Sequence, residues 1–251
     1  AATKIVPTAE YNPTEWIKTN VTGACNVIDA AISKNVKKVV ALSTDKASNP
    51  INLYGATKLC SDKIFIASNL YHSRTTTTAV VRYGNVLGSR GSVIPFFLEK
   101  SKGGILPITD KRMTRFMITL EEGIDLVWRA FEDMIGGEVY IRKIPSMNIC
   151  DIAKAINPKA ELNFIGIRPG EKIHEQMIGY EDADYTYEYD QYFKILPMLK
   201  DWCKDEQRIK NGIKVPDNFR YTSNENKDWM KIEELRKWIE IFKVNNPQFI
   251  N

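Results

Sequence analysis

Apolar positions at helical spacing open the chain. Ile17, Val21, Ala24, Val27, Ile28 and Ala31 predict a helix over residues 14–34, with Pro13-Thr14-Glu15 as its start. The run Val39-Val40-Ala41-Leu42-Ser43 follows. It is short, apolar and rich in β-branched side chains, which predicts a strand buried in a parallel sheet. A polar loop with Asn49-Pro50 and Asn52 leads to a second helix over residues 54–70, carried by Tyr54, Leu59, Ile64 and Ala67. Ala79-Val80-Val81-Arg82-Tyr83 predicts the next strand, which runs into the Gly-rich loop between Gly84 and Gly91. Helix, strand, helix, strand is the alternation of an α/β fold with a parallel sheet.

Beyond Ser92 the pattern loosens. Helices are predicted over residues 93–102 and 121–135 and near 148–156, with strands over 138–141 and 162–167. Residues 180–225 are acidic and aromatic without a regular period. Residues 230–244 form an amphipathic helix with Leu235, Trp238 and Ile239 on one side. There is no internal repeat and no low-complexity tract.

Composition narrows the function classes. The 251 residues are 43% hydrophobic and 26% charged, ordinary for a globular protein with a sizeable core. Net charge is +4 and spread along the chain, so no basic block tracks a nucleic-acid backbone. No apolar run approaches a membrane span, and the first residues lack the pattern of a signal peptide. The cysteines Cys25, Cys60, Cys150 and Cys203 form no CxxC pair, and there are two histidines, so a metal site is not expected. Unpaired thiols suit a reducing cytoplasm.

Tyr54 and Lys58 stand four apart, which puts both on one face of a helix. A cation beside a phenol favours the phenolate, so Tyr54 could exchange protons during alcohol–ketone interconversion. From the spacing alone, a packed tyrosine and a solvated lysine is the plainer reading. Context adds Ser43-Thr44 at the end of the preceding strand, placed to hydrogen-bond a substrate hydroxyl. Asp45-Lys46 adds a neighbouring acid and base. Such a pair can protonate a departing hydroxyl and remove a carbon-bound proton if its environment separates the two roles. A turn-capping aspartate beside an exposed lysine is the plainer reading of the same two residues.

The strand end, Tyr54 and Lys58 together resemble the extended short-chain dehydrogenase/reductase superfamily. The stretch Leu42-Ser43-Thr44-Asp45-Lys46 through Tyr54-Gly55-Ala56-Thr57-Lys58 is similar to the inverting UDP-N-acetylglucosamine 4,6-dehydratases of pseudaminic acid and flagellin-glycosylation pathways. The similarity continues through residues 82–97, Ile108-Thr109-Asp110, Met113-Thr114-Arg115-Phe116 and residues 166–175. A configuration-retaining branch often has Met in place of Tyr54, so the tyrosine favours the inverting branch.

The resemblance implies an α/β fold: a partial Rossmann-type parallel sheet with helices on both faces, plus a smaller α+β substrate-binding region. Residues 1–90 would be the C-terminal part of the NADP-binding domain with the catalytic residues. Residues 91–251 would mainly bind nucleotide sugar, with some segments returning to the sheet. It also implies a hydro-lyase that uses NADP catalytically. Tyr54 would take the C4 hydroxyl proton, Lys58 would hold the nicotinamide ribose and lower the Tyr54 pKa, Lys46 would remove the C5 proton, Asp45 would protonate the departing C6 hydroxyl and Thr44 would orient the sugar. Lys4, Ser43 and Val86, with Tyr54 and Lys58, would touch the cofactor. Lys4, Asn85, Arg90, Gly91, Ser92, Val93, Ile94, Pro95, Phe96, Phe97, Thr109, Arg168 and Glu171 would hold the UDP-sugar. Arg90 and Arg168 can fork onto phosphate oxygens, and Gly88 and Gly91 allow close backbone approach. Asn20 resembles an asparagine that props the active-site lysine, or makes a helix back-bond. His174 is read as a satisfied polar or surface residue, not a catalyst.

One departure from the family stands out. Its Gly-x-x-Gly-x-x-Gly pyrophosphate loop is not in these residues, and Ala1-Ala2-Thr3-Lys4 matches a point several strand–helix units into the family fold. The expectation is an N-terminally truncated member, short by about 85–90 residues of the nucleotide-binding half, that binds NADP poorly. Competing readings are a UDP-hexose 4-epimerase or reductase of the same superfamily, and a non-catalytic UDP-sugar-binding remnant. A homo-oligomer in the cytoplasm, with no nucleic-acid or membrane partner, completes the expectation.

Overall fold

A computed structural model describes residues 2–71, 75–89, 91–199 and 201–249. Arg90, one of the expected phosphate ligands, lies outside the described residues. The chain divides into two compact units: residues 1–83, 121–143 and 176–221 form the first, and residues 84–120, 144–175 and 222–251 the second.

The first unit is built on a six-stranded sheet in the order Lys38–Leu42, Thr77–Arg82, Val139–Arg142, Tyr192–Ile195, Thr186–Glu188, Ile213–Lys214. The first three strands are parallel, with Leu42 opposite Val81 and Arg82 opposite Ile141. The rest join antiparallel. Ala79, Val80 and Val81 are fully buried, as a central strand covered on both faces requires. The Leu53–Tyr71 helix locks to the Thr77–Arg82 strand through polar groups: the Asn69 side chain accepts from the Thr78 amide at 3.0 Å and donates to the Thr78 hydroxyl at 2.7 Å. Leu126, Ala130 and Met134, from the Leu120–Asp133 helix and its end, pack with Ala79, Val81 and Tyr140.

Two expectations need correcting here. The helix predicted over residues 14–34 is broken: Pro13–Trp16 and Gly23–Ser33 are α-helical, and Ile17–Thr22 between them is a π-helical turn. The segment 180–225, read as irregular, supplies three strands of the sheet. Lys194 hid the central one. It interrupts Tyr192-Phe193-Lys194-Ile195, yet it is buried, its ammonium bonded to Asp133 at 2.8 Å. Burial of a lysine is tolerated when a carboxylate meets it.

The second unit pairs Thr114–Ile118 with Asn85–Val86 (parallel) and Ser146–Asn148 (antiparallel), and Ile105–Ile108 with Glu161–Phe164 (parallel). Helices Val93–Lys100, Ile149–Ile156 and Ile232–Asn245 close over a core that includes Ile94, Phe97, Leu106, Met117, Ile152, Leu235 and Ile239. Asn148 caps the middle helix, its side-chain oxygen accepting from the Cys150 amide at 2.8 Å. The amphipathic tail helix is placed as its pattern predicts, Leu235 and Ile239 inward and Trp238 half-buried beside them.

At Gly88 the close backbone approach is to the protein's own tail helix. Its φ is +71°, and a Cβ there would lie 2.0 Å from the Phe242 ring of the tail helix. Gly91 also has positive φ, +74°, but nothing lies within 4 Å of its Cβ position. The pair makes a matched test. Gly91→Ala should cost about 1 kcal/mol, the price of a left-handed alanine. Gly88→Ala should cost about 1–3 kcal/mol more through overpacking. Thermal denaturation of both variants checks this, and equal melting temperatures would contradict it.

Candidate active site

The parallel strand Lys38–Leu42 ends at Leu42, and the chain stays extended through Thr44. A 3₁₀ turn, Asp45–Ala47, follows, capped by the Thr44 hydroxyl, which accepts from the Lys46 amide at 3.3 Å. The Leu53–Tyr71 helix then starts with the Asn52 side chain accepting from the Gly55 amide at 2.8 Å. Carboxyl ends of parallel strands are where open α/β sheets bind ligands.

Four contacts seat this helix on the strand end. A Cβ on Gly55 would fall 2.2 Å from the Lys46 carbonyl oxygen, so only glycine lets the turn lie this close. Lys58 donates to the Leu42 carbonyl at 2.7 Å. The Ser43 hydroxyl donates to Asp62 at 2.6 Å. Tyr54 hydrogen-bonds Thr44. The sequence reading saw Tyr54 and Lys58 but passed over Gly55 and Asp62. Asp62 was legible from its spacing: it follows Lys58 by four residues and therefore shares its face.

Asp45 and Lys46 are joined by a 3.0 Å hydrogen bond, with Asp45 buried and Lys46 partly exposed. The Thr44 hydroxyl also donates to Asp45, at 2.9 Å. Burial pushes the Tyr54 phenol above its ordinary value; the Lys46 cation and the Thr44 hydrogen bond pull it down, while Asp45 and Tyr83 push it up. Lys46 is thus a cation that lowers the Tyr54 pKa, while the Lys58 ammonium is bonded to the Leu42 carbonyl. Burial also pushes the Lys58 ammonium below its ordinary value, against the opposing pull of Asp62.

Asn20 sits buried in the π-helical turn and does not bond Lys58. Its amide donates to the Thr57 hydroxyl at 3.0 Å and to the Thr3 carbonyl at 3.1 Å, and its oxygen accepts from the Thr3 amide at 3.0 Å. Thr57 in turn donates to the Tyr54 carbonyl at 2.9 Å. The asparagine thus braces the helix between Tyr54 and Lys58, and it pins the segment that carries the exposed Lys4. A π-turn at such a position is a common mark of functional sites.

Apart from Lys4, in the first unit, and Arg90, outside the described residues, the expected substrate residues fall in the second unit. Asn85 and Val86 form a short, half-buried strand. The Asn85 side-chain oxygen and the Ser92 hydroxyl are buried without a hydrogen-bond partner among the described residues, a condition a ligand's polar groups would relieve. Ile94 and Phe97 were expected to touch substrate; both are core residues, 2% exposed, because helical spacing turns them inward. Val93 and Pro95 are half-buried, while Gly91 and Phe96 are exposed. Thr109 is half-buried just past the Ile105–Ile108 strand. Arg168 and Glu171 bond each other, the guanidinium Nε donating at 2.8 Å. The guanidinium keeps further N–H donors beyond the two spent on Glu171. His174 places its Nδ1 in a 2.9 Å hydrogen bond with Thr114.

Among the described residues no group of three or more His, Cys, Asp or Glu could hold a metal ion, and no helix is long and apolar enough to cross a membrane.

Residues 1–197 match the family described as polysaccharide biosynthesis proteins. A UDP-N-acetylglucosamine 4,6-dehydratase (inverting) of Campylobacter jejuni is 54% identical over 243 residues, 94% of this chain and 73% of that protein. A UDP-glucose 4-epimerase of Rickettsia rickettsii is 40% identical over 94% of this chain and 71% of its own length. The structure of Pen from Bacillus thuringiensis superposes with a TM-score of 0.87 at 35% identity, over 97% of this chain and 75% of that one. Solved nucleotide-sugar dehydratases and epimerases with NAD bound share the fold at 20% identity. The strand-end serine and threonine, the Asp-Lys turn and the Tyr-x-x-x-Lys helix lie in one seam within a match spanning most of the chain: the protein belongs to the polysaccharide biosynthesis family, among the relatives of the inverting UDP-N-acetylglucosamine 4,6-dehydratases.

Proposed function

We propose that the protein removes water from UDP-N-acetylglucosamine across C5 and C6, with oxidation at C4 and inversion at C5, giving a UDP-4-keto-6-deoxy-L-arabino-hexosamine. The observation that carries this reading is the 3.0 Å contact between Asp45 and Lys46, held beside Tyr54. A simple oxidoreductase needs Tyr54 and Lys58; loss of water also needs an acid and a base at neighbouring carbons.

The donor set fits a nicotinamide dinucleotide. Buried Lys58 has three N–H donors and uses one on Leu42, so two can reach ribose hydroxyls while Tyr54 faces the reacting carbon. Lys4, the Ser43 segment and Val86 are further contacts in this proposal, with NADP as the form used. When bound, the dinucleotide supplies the hydride acceptor for C4 and the hydride donor for C6.

The protein's own groups then handle protons. Tyr54 takes the proton of the C4 hydroxyl, aided by the Lys46 cation that favours the phenolate. The C4 ketone acidifies the C5 proton, and Lys46 removes it as an amine. Asp45, as the acid, gives a proton to the C6 hydroxyl, which leaves as water. Moving one proton from Lys46 to Asp45 along their hydrogen bond converts ammonium and carboxylate into amine and acid with no change in net charge. Thr44 orients both Asp45 and Tyr54. C5 then takes a proton from solvent on the opposite face, and Tyr54 returns its own proton to solvent, which closes the cycle.

On this reading residues 1–90 carry the dinucleotide and catalytic groups, and residues 91–251 chiefly bind the nucleotide sugar through Gly91, Ser92, Phe96, Thr109, Arg168 and Glu171, joined by Asn85 and Arg90. The product would feed sugar biosynthesis of the pseudaminic acid or flagellin-glycosylation kind, in a cytoplasmic homo-oligomer. The Rickettsia relative favours a second reading, a UDP-hexose 4-epimerase, which would leave Asp45 and Lys46 idle.

Two outcomes test the assignment. Incubated with UDP-N-acetylglucosamine and NADP in heavy water, the protein should yield a product lighter by one water, deuterated at C5, with inverted C5 configuration by NMR. A product of unchanged formula would instead establish the epimerase. Lys46→Ala should lower water loss by about 10²–10⁴-fold while leaving UDP-sugar binding intact. The same variant should raise the pKa of Tyr54, since the cation that lowers it is gone; a ¹³C-tyrosine NMR titration reads this. Unchanged turnover would remove Lys46 from the mechanism.

A further inference from the structure

Tyr54, Lys58 and Asp62 recur every four residues on one face of the Leu53–Tyr71 helix. The third member has no part in the mechanism above. It is buried, at 1% exposure, where a carboxylate is costly unless paired. Its partners are specific. The Ser43 hydroxyl donates to Oδ2 at 2.6 Å, and the Arg82 guanidinium lies 3.5 Å from the same oxygen. Arg82 is itself buried and fixed from the far side, donating to the Met177 carbonyl at 2.8 Å, with Asp182 at 3.8 Å.

Ser43 immediately precedes Thr44, Asp45 and Lys46. Arg82 ends the neighbouring strand, whose Val81 carbonyl accepts from the Ser43 amide at 2.7 Å, and two residues on the Tyr83 carbonyl accepts from the Asp45 amide at 3.2 Å. Ser43 is thereby tied on both its backbone and its side chain. The side-chain tie is what fixes it to the helix that carries Tyr54.

We propose that Asp62 is a positioning residue for the dehydration: braced by Arg82, it holds Ser43 and so sets Asp45 and Lys46 in register with Tyr54 and Lys58. The role is mechanical and needs no contact with substrate. A plain packing role predicts loss of stability alone. Positioning predicts that proton transfer at C5 and C6 fails before oxidation at C4, because Tyr54 and Lys58 sit on the helix itself while Asp45 and Lys46 depend on the strand end.

The test uses Asp62→Asn, Ser43→Ala and the double variant in NADP-loaded enzyme, and it rests on the dehydratase reading. Each single variant should lose about 10- to 100-fold in kcat for water loss with KM for the UDP-sugar unchanged, and the double variant should be no worse than the poorer single. Reduced-nicotinamide absorbance should build up in the first turnover, as C4 oxidation outruns water loss. Without substrate or cofactor, the ¹⁵N amide resonances of residues 43–46 should move in both single variants. Ser43→Ala leaves the Asp62–Arg82 pair intact, so it carries the test if Asp62→Asn does not fold. Losses that multiply in the double variant, or amides 43–46 that stay in place, overturn the proposal. A wild type that never releases water overturns the dehydratase reading instead, and the amide shifts still decide the positioning.

Discussion

The active seam depends on one backbone contact, the approach of the Lys46 carbonyl to Gly55. A side chain at residue 55 would meet that oxygen at 2.2 Å, so the 3₁₀ turn and the first turn of the helix can touch only because the side chain is absent. With that distance set, the remaining pairs fall into line: Thr44 with Tyr54, Leu42 with Lys58, Ser43 with Asp62. A strand end and a helix of different pitch rarely match over several residues. Here glycine supplies the close approach, and Lys58 and Asp62 tie the strand end one and two turns farther along the helix.

Much of this was legible in the sequence, for physical reasons that differ between elements. Ala79-Val80-Val81 reads as a buried strand because burial on both faces leaves no room for polar alternation. The helix of Tyr54 reads clearly because its start, its period and its chemistry agree. Tyr192-Phe193-Lys194-Ile195 does not read as a strand, because the partner that makes Lys194 tolerable is Asp133, distant in sequence. Arg82 carries the same lesson: its charge in an apolar run signals a carboxylate somewhere, and only the fold supplies Asp62. Single-residue periodicity contains no information about such pairings.

The site itself was legible in its residue types and less so in their roles. Ile94 and Phe97 lie in a stretch that resembles a ligand-binding motif, yet they pack the core of the second unit. Their neighbours Asn85 and Ser92 have the unsatisfied polar atoms instead. A motif is kept as a block by both its surface and its interior residues, and helical geometry separates the two. Gly88 is a similar case, since the ring of Phe242 leaves no room for a Cβ there.

Burial acts on the two members of the Tyr-x-x-x-Lys pair in the same sense, toward the neutral form: it raises the phenol and lowers the ammonium. Neither shift helps chemistry alone, since a protonated phenol is a poor base and a neutral amine a weak hold on a ribose. Each is opposed by a partner on the other side of the seam or one helical turn on, Lys46 for Tyr54 and Asp62 for Lys58. The charges that the reaction needs are therefore set by neighbours rather than by solvent. In the dehydration proposed above, Lys46 would be cationic while Tyr54 accepts its proton and neutral when C5 is deprotonated. Its hydrogen bond to Asp45, 3.0 Å long, would let it change state by passing one proton within a pair whose net charge stays constant. A lysine with a solvated carboxylate for a partner would have to exchange with bulk water at each turnover; one whose partner is buried can complete the exchange inside the site.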